Sequence, residues 1–376
     1  MKRFLAFGLA LLCAFALTGC GGGNDAEVDE NKPIKIGVIF YGQDDALGKA
    51  VYSYMNYAAE VVDNLEVQFC IGAFDAESQR TDAENLIAAG CQGILALPIY
   101  DLSTQQIMQV CEQNGVYYMS MFRQPQDETV VEYVNSCEYW LGSSLEDDSA
   151  TSYEMVKILS ELGDTVIGAG SSRNGSSLAR MDGFDKGVSD FGITVCGEFE
   201  IGINIESVAS DTQNMLDSYP DMQALWSVSA AAGIGETMVN LLRAQRESTG
   251  KNVHLITYDT FTGMTEAFQD DILVGAVGGT APLCIQCLAV MYNAIDGHPL
   301  TEEKLQLNFP YLIVTNEEDL NIFETYYGDT TFQVYTEEAI KSMLYRYNPD
   351  VTLEGLNELW SSYSIDYLKE VIDGAA

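Results

Sequence analysis

The chain reads as an α/β protein built from two doubly wound parallel-sheet domains, and three observations predict this. Between Leu65 and Pro98 an alternating apolar run, a helix-period segment and a second apolar run follow one another, which makes a βαβ unit and hence a parallel sheet. The same alternation recurs on both sides of this unit and again in the second half of the chain. The body that begins near Lys32 is long enough for two domains with sizeable cores.

Within the organising unit, Val67 to Ala73 reads as a buried strand. Asp75 and Ser78 supply helix-start chemistry, and Ala83, Leu86, Ile87 and Ala88 repeat at helical spacing. Gly90 stops that helix, and Gly93 to Leu97 forms the second strand, ended by Pro98. Before it, Ile34 to Tyr41 predicts the first strand, and Gly42-Gln43-Asp44-Asp45 turns into a helix carrying Val51, Tyr54 and Ala58. After it, a helix over Leu102 to Asn114 leads to a strand over Val116 to Met121, ending at Phe122-Arg123.

Gln124 to Gly142 interrupts the rhythm with Pro125, acids and a short extended run at Val130 to Val134, and reads as the passage into a second domain. The spacing then predicts a helix over 149–162, a strand over 165–169, a helix over 178–188 and a strand over 193–199. A helix over 205–219, a strand over 224–227, a helix over 233–245 and a strand over 253–258 continue the pattern. A last strand over 272–277, Gly278-Gly279-Thr280, a helix over 282–296 and a short strand over 311–315 follow. From Asn316 the chain is acidic and aromatic, with helices expected at 337–346, 353–360 and 365–372.

The formal charge of −38 excludes nucleic acid as a ligand class, because phosphate binding needs a basic surface. Met1 to Gly19 reads as a signal peptide: Lys2 and Arg3 precede an apolar run too short for a comfortable membrane span. Leu17-Thr18-Gly19-Cys20 resembles a bacterial lipobox, whose Cys becomes the acylated first residue of a mature lipoprotein; a plain secretory signal and an anchor helix are the competing readings. Residues 20–32, glycine-rich and then acidic, suit a flexible tether between the lipid and the body. Of nine Cys, Cys13 and Cys20 fall in this front end. The other seven are scattered through apolar segments, as buried thiols are, and do not form a disulfide framework.

Four stretches carry a family resemblance: DAESQRTDAENLIAAGCQGILALP from Asp75, VYYMSMFRQ at 116–124, ARMDGF at 179–184 and LITYDTFTGM at 255–264. In this order, behind a lipobox, the chain resembles the type I periplasmic-binding-protein family, most closely the ribose-type sugar-binding proteins of ABC importers. The resemblance covers about Lys32 to Thr315. It implies two lobes joined by three hinge crossings, with ligand in the cleft between them. By this analogy residues 33–137 and 279–310 make the first lobe, 138–278 and 311–316 the second, and 317–376 an acidic, aromatic helical extension. The implied activity is capture of a small polar ligand, a carbohydrate first of all, for an ABC permease, by a monomer held to the cell membrane through its lipid. A sensing lipoprotein of the same fold that presents its ligand to a receptor kinase is the alternative, and a non-sugar ligand is a further one. No nucleophile–base pair or metal set argues for an enzyme, and no cofactor is implied.

The resemblance also nominates a site. Arg123, one of only eight Arg, follows the fourth strand, where the family places an Arg that bonds sugar hydroxyls; a hinge-side ion pair is its competing role. Arg180 fits the family's Arg-x-x-Gly-Phe pattern, yet Leu178 stands where many members carry the sugar-contacting Arg, so a structural role is equally open. Asp259 matches the ligand-binding Asp, against a competing role as a helix N-cap. Tyr41 and Asp45 match polar ligand positions, and Tyr100 and Phe122 offer an aromatic wall or simple packing. Ser229 and Gly279 replace polar family residues, which puts a simple ribose- or galactose-like specificity in doubt. Cys284-Ile285-Gln286-Cys287, His254 and His298 have no metal or triad partners in view.

Overall fold

The centre of the fold is a mostly apolar helix buried on every face, Leu283–Ile295, in which each residue from Leu283 to Ala294 is buried. Such a helix needs cover all round, and the rest of the chain supplies it. The computed structural model describes residues 33–375 apart from 44–45, 72–74, 174–176, 203 and 328–331.

The first lobe contains β1 (Ile34–Phe40), α1 (Ala46–Val61), β2 (Leu65–Ile71), α2 (Ala76–Ala88), β3 (Gly93–Ala96), α3 (Asp101–Asn114), β4 (Tyr117–Met121), α4 (Glu128–Ser136) and β5 (Trp140–Glu146). The second contains α5 (Asp148–Leu162), β6 (Val166–Ser171), α6 (Leu178–Phe191), β7 (Thr194–Glu200), α7 (Ile205–Ser218), β8 (Ala224–Ser227), α8 (Ile234–Thr249), β9 (His254–Tyr258), α9 (Met264–Gln269) and β10 (Leu273–Gly278). The chain then returns through α10 (Leu283–Ile295), adds β11 (Leu305–Phe309) to the first sheet and β12 (Leu312–Val314) to the second. It ends in α11 (Glu317–Tyr327), α12 (Glu337–Ser342), α13 (Leu353–Ser361) and α14 (Ile365–Ala375).

The two six-stranded sheets have the orders β11-β5-β4-β3-β1-β2 and β12-β10-β9-β8-β6-β7. Position by position they correspond, β4 to β9 and β5 to β10, so the lobes repeat one another. All pairings are parallel except β10 with β12. This is the type I periplasmic-binding fold, with three crossings between lobes. Helix α10 lies against β1, β3, β4 and β5, with α1 beside it.

Three expectations need correction. The run Val130–Val134 is not extended: it lies in α4, whose N-cap Asp127 accepts from the N–H of Thr129 and Val130, with Val130 and Val134 burying one helical face. Two valines four apart fit a helix as well as a strand. The first crossing is not at 137/138, because β5 pairs with β4 in the first sheet, so the chain leaves that lobe after Glu146. Strand β11 and helix α11 are additional elements, and the expected 337–346 helix is only Glu337–Ser342.

Gly142 sits where β5 meets β11, at φ 127°, and a Cβ there would stand 2.0 Å from the carbonyl oxygen of Leu305. Backbone, unlike a flexible side chain, cannot yield to it. Gly142→Ala is therefore expected to cost about 2–3 kcal/mol, read as a lower urea midpoint; an unchanged midpoint would show that β11 docks some other way.

Candidate functional site

Parallel strands direct their carboxyl ends to one edge of each sheet, and here the two edges meet at the crossings. Asp147 N–H donates to Phe309 O at 2.9 Å, tying the first crossing to the third. Thr280, just past the second, donates to Glu146 Oε1 at 2.8 Å.

Arg180 knots this region together. Its Nε donates to Asp148 Oδ1 at 2.8 Å, its Nη1 to Val228 O at 2.9 Å and its Nη2 to the Tyr311 hydroxyl at 3.1 Å. Tyr311 donates onward to Asp148 at 2.9 Å, and the guanidinium lies 4.0 Å over the Tyr258 ring. The Tyr258 hydroxyl donates to Asp148 O at 2.7 Å. With side chains only 18% and 12% exposed, Arg180 and Asp148 form a largely buried pair whose polar atoms are well supplied with partners. Of the two roles open to Arg180, the structural one accounts for these bonds.

Arg123 is placed differently. It follows Phe122, the residue just past β4, which sits in the left-handed region at φ 60°. The Ser120 hydroxyl donates to Arg123 O at 2.7 Å, fixing the backbone. The guanidinium donates to Ile99 O and, among the described residues, meets no carboxylate. The loop it braces, Leu97 to Tyr100, is also held by buried Gln79, which donates to Leu97 O and accepts from Ile99 N–H. Tyr100 stands out from that loop, 60% exposed.

Asp259 occupies the corresponding place in the second lobe, after β9 and left-handed at φ 66°. Left-handed non-glycine residues are uncommon, and two at matching strand ends mark these turns as shaped for something other than packing. Asp259 does not cap α9, whose N-cap is Gly263. It accepts from the Ser229 hydroxyl at 2.6 Å and forms no salt bridge among the described residues, although the Arg180 charge lies within electrostatic reach. Tyr41 stacks on Phe40 with ring centroids 4.5 Å apart, and Phe122 lies 5.8 Å from Phe40; both are half-buried, just past the ends of β1 and β4.

Gly279 stands apart from these groups, since its carbonyl accepts from Tyr327 and Tyr363 of the tail. Asp45 and Cys20 lie outside the described residues. Arg173 is held by Asp185 and Glu198 on the second lobe. Cys284 and Cys287 are fully buried in α10, His254 pairs with Asp164, and no metal-holding group occurs among the described residues. No helix among them is long and apolar enough to cross a membrane. Glu146, Asp148 and Tyr311 are absent from the sequence-derived set; the acidic run Glu146-Asp147-Asp148 before α5 is the one signal that points to the first two.

Burial pushes the Glu146 carboxyl up to about 7; the charge of Asp148 adds to this, while Arg180 and Thr280 oppose it. Between its ordinary 4.5 and about 7 the folded state keeps a proton that the unfolded chain has released. Stability contributed here is thus greatest in acid and declines as pH rises through that window. Glu146→Gln should lose less stability than the parent between pH 5 and pH 8 in urea titrations; equal losses would contradict this assignment.

A model of the family described as periplasmic binding protein domain matches residues 36–299. No curated protein matches the sequence. Among solved structures, a periplasmic ribose ABC transporter protein from Conexibacter woesei aligns with TM-score 0.66 at 15% identity, covering 78% of this chain and 96% of its own. A solute-binding protein from Actinobacillus succinogenes with bound D-allose gives TM-score 0.60 at 16% identity, covering 77% and 100%. The arabinose-transporter binding component from Shewanella sp. ANA-3, bound to L-arabinofuranose, gives 0.59 at 13%, covering 77% and 95%. Identities this low speak for the fold alone. With the family model spanning most of the folded body, the chain belongs to the periplasmic binding protein domain family.

Proposed function

We propose that this protein is an extracytoplasmic solute-binding lipoprotein that captures a small polar ligand, a carbohydrate, between its lobes for delivery to an ABC permease. The single observation that carries the ligand class is the pairing of Arg123 and Asp259 at equivalent strand ends of the two lobes. One presents guanidinium donors that no carboxylate occupies, the other a carboxylate that no salt bridge engages among the described residues. Hydroxyl groups donate and accept at once, so a polyol satisfies both. Tyr100, exposed on the first lobe's loop, is the residue for a sugar's ring face, with Tyr41 and Phe122 behind it. Ser229 orients Asp259, while Arg180 holds the crossings and touches ligand only at their edge.

Sugars are also what the neighbouring structures above are described with, which supports the class and leaves the individual sugar open. No reaction is involved. The ligand stabilises the lobe arrangement that binds it better, and its differential affinity for closed over open is the whole driving force. The Cys20 lipid supplies the membrane attachment, the acidic surface keeps the monomer soluble, and the permease takes the loaded form.

A thermal-shift screen of mono- and oligosaccharides, nucleosides and signalling furanones tests this, since a ligand that binds only the folded state raises the melting temperature. A sugar hit is expected, and a hit confined to non-sugars would overturn the ligand class. With that sugar in hand, Arg123→Ala should weaken binding at least about tenfold, as loss of charged hydrogen bonds does, while the unliganded melting temperature stays nearly unchanged. Equal affinity would remove Arg123 from the site.

A further inference from the structure

The tail beyond Asn316 lies outside the matched family region and packs on both lobes at once. Helix α11 rests mainly on the second lobe, against α9 and β12, with Gln269 donating to Glu317 at 3.2 Å, and it also touches α1 of the first lobe. The following segment rests on the first lobe. There Asn293, fully buried in α10, donates to Met343 O at 2.9 Å and accepts from Tyr345 N–H at 2.7 Å. Gln333 donates to Ser53 of α1 at 3.0 Å, and Tyr345 stacks on His298 at 3.7 Å. Helix α14 packs back on α11 and β12, closing the tail into one body.

Between these anchors the tail grips the second crossing itself. The hydroxyls of Tyr327 and Tyr363 both reach Gly279 O and lie 2.7 Å from each other, so two protons serve three contacts around one carbonyl. A Cβ at Gly279 would stand 2.8 Å from the Leu312 side chain and 3.1 Å from the Phe323 ring, which also lies within van der Waals contact distance of a Cβ at Gly278. Tyr363 also packs on Phe309, at the third crossing, with ring centroids 5.0 Å apart. Gly279 is left-handed at φ 81°, a position where a glycine hinge turns freely unless something holds it.

We infer that the tail is a hinge strap, and that Tyr327 and Tyr363 are positioning residues that hold the second crossing and limit how far the lobes open. A hinge rotation moves the second-lobe surface under α11 relative to the α1 contact and the first-lobe anchor of the 333–347 segment, so it strains the tail. Opening must therefore break the Gly279 contacts or strain the Asn293 anchor, and the packed tail resists both. Holding the free protein near its binding geometry raises apparent affinity, because less ligand free energy goes into reorganisation. The role builds on the solute-binding reading, yet the strap itself is testable without any ligand.

The test is pulsed electron–electron distance measurement between labels on Glu77 of α2 and Glu206 of α7, both exposed and on different lobes. The labels are carried by a bioorthogonal residue, because native thiols would compete. In Tyr327→Phe/Tyr363→Phe the rings remain and only the hydroxyls go. The strap predicts that the free protein's distance distribution widens roughly twofold and moves to longer distances. An unchanged distribution overturns it, whether or not the melting temperature falls. If the double variant does not fold, Gln333→Ala/Tyr347→Phe, at the periphery of the first-lobe anchor, must widen the same distribution, and no change there overturns the proposal equally. A failed sugar screen with a widened distribution would reject the ligand reading and keep the strap.

Discussion

The buried pair between Arg180 and Asp148 is the constraint on which the rest of this structure depends. A charge removed from water is costly, and a pair survives burial only when its remaining donors and acceptors are also satisfied. Here the satisfaction comes from parts distant in sequence: Val228 O after β8, Tyr311 after β11, and the Tyr258 ring and hydroxyl at the end of β9. Each partner belongs to a crossing or to a strand end beside one. The pair therefore fixes the second-lobe ends of the first and third crossings, while each lobe's own core decides that it folds.

That arrangement leaves two turns available for other work. Phe122-Arg123 and Asp259 project from equivalent strands, in backbone conformations that packing alone does not require. The knot has taken one arginine out of circulation and left Arg123 with spare donors. On the opposite flank the tail covers α10, which without it would expose an apolar face. One set of tyrosines thus completes the core and holds the hinge.

Much of this was legible from the residues, and the limits have physical reasons. Strands such as Ile34–Phe40 and Gly93–Ala96 are apolar on both faces, because helices cover both faces of a parallel sheet, whereas Leu65–Ile71, expected to be buried, lies at the sheet edge and is partly exposed. Strand β5 was not legible: Gly142, Ser143 and Ser144 suit close approach to β11 and the polar contacts of Ser120 and Gln286, and they erase the hydrophobic signal. Val130–Val134 satisfied two periodicities until Asp127 was seen to cap a helix. Within the proposed site, Arg123 and Asp259 could be nominated because each follows a readable strand and matches a position to which the family resemblance points. The roles of Arg180, Tyr311 and Glu146 could not, since each depends on partners brought together only by the fold.

Hydrogen–deuterium exchange of the parent and of Arg180→Met tests the central claim most directly. If one knot holds all the crossings, exchange should quicken together at Asp147–Asp148, Gly278–Thr280 and Tyr311–Leu312, with the sheet centres still protected. Faster exchange confined to the start of α6, with the crossings unchanged, would mean that Arg180 braces its own helix and that something else sets the lobes.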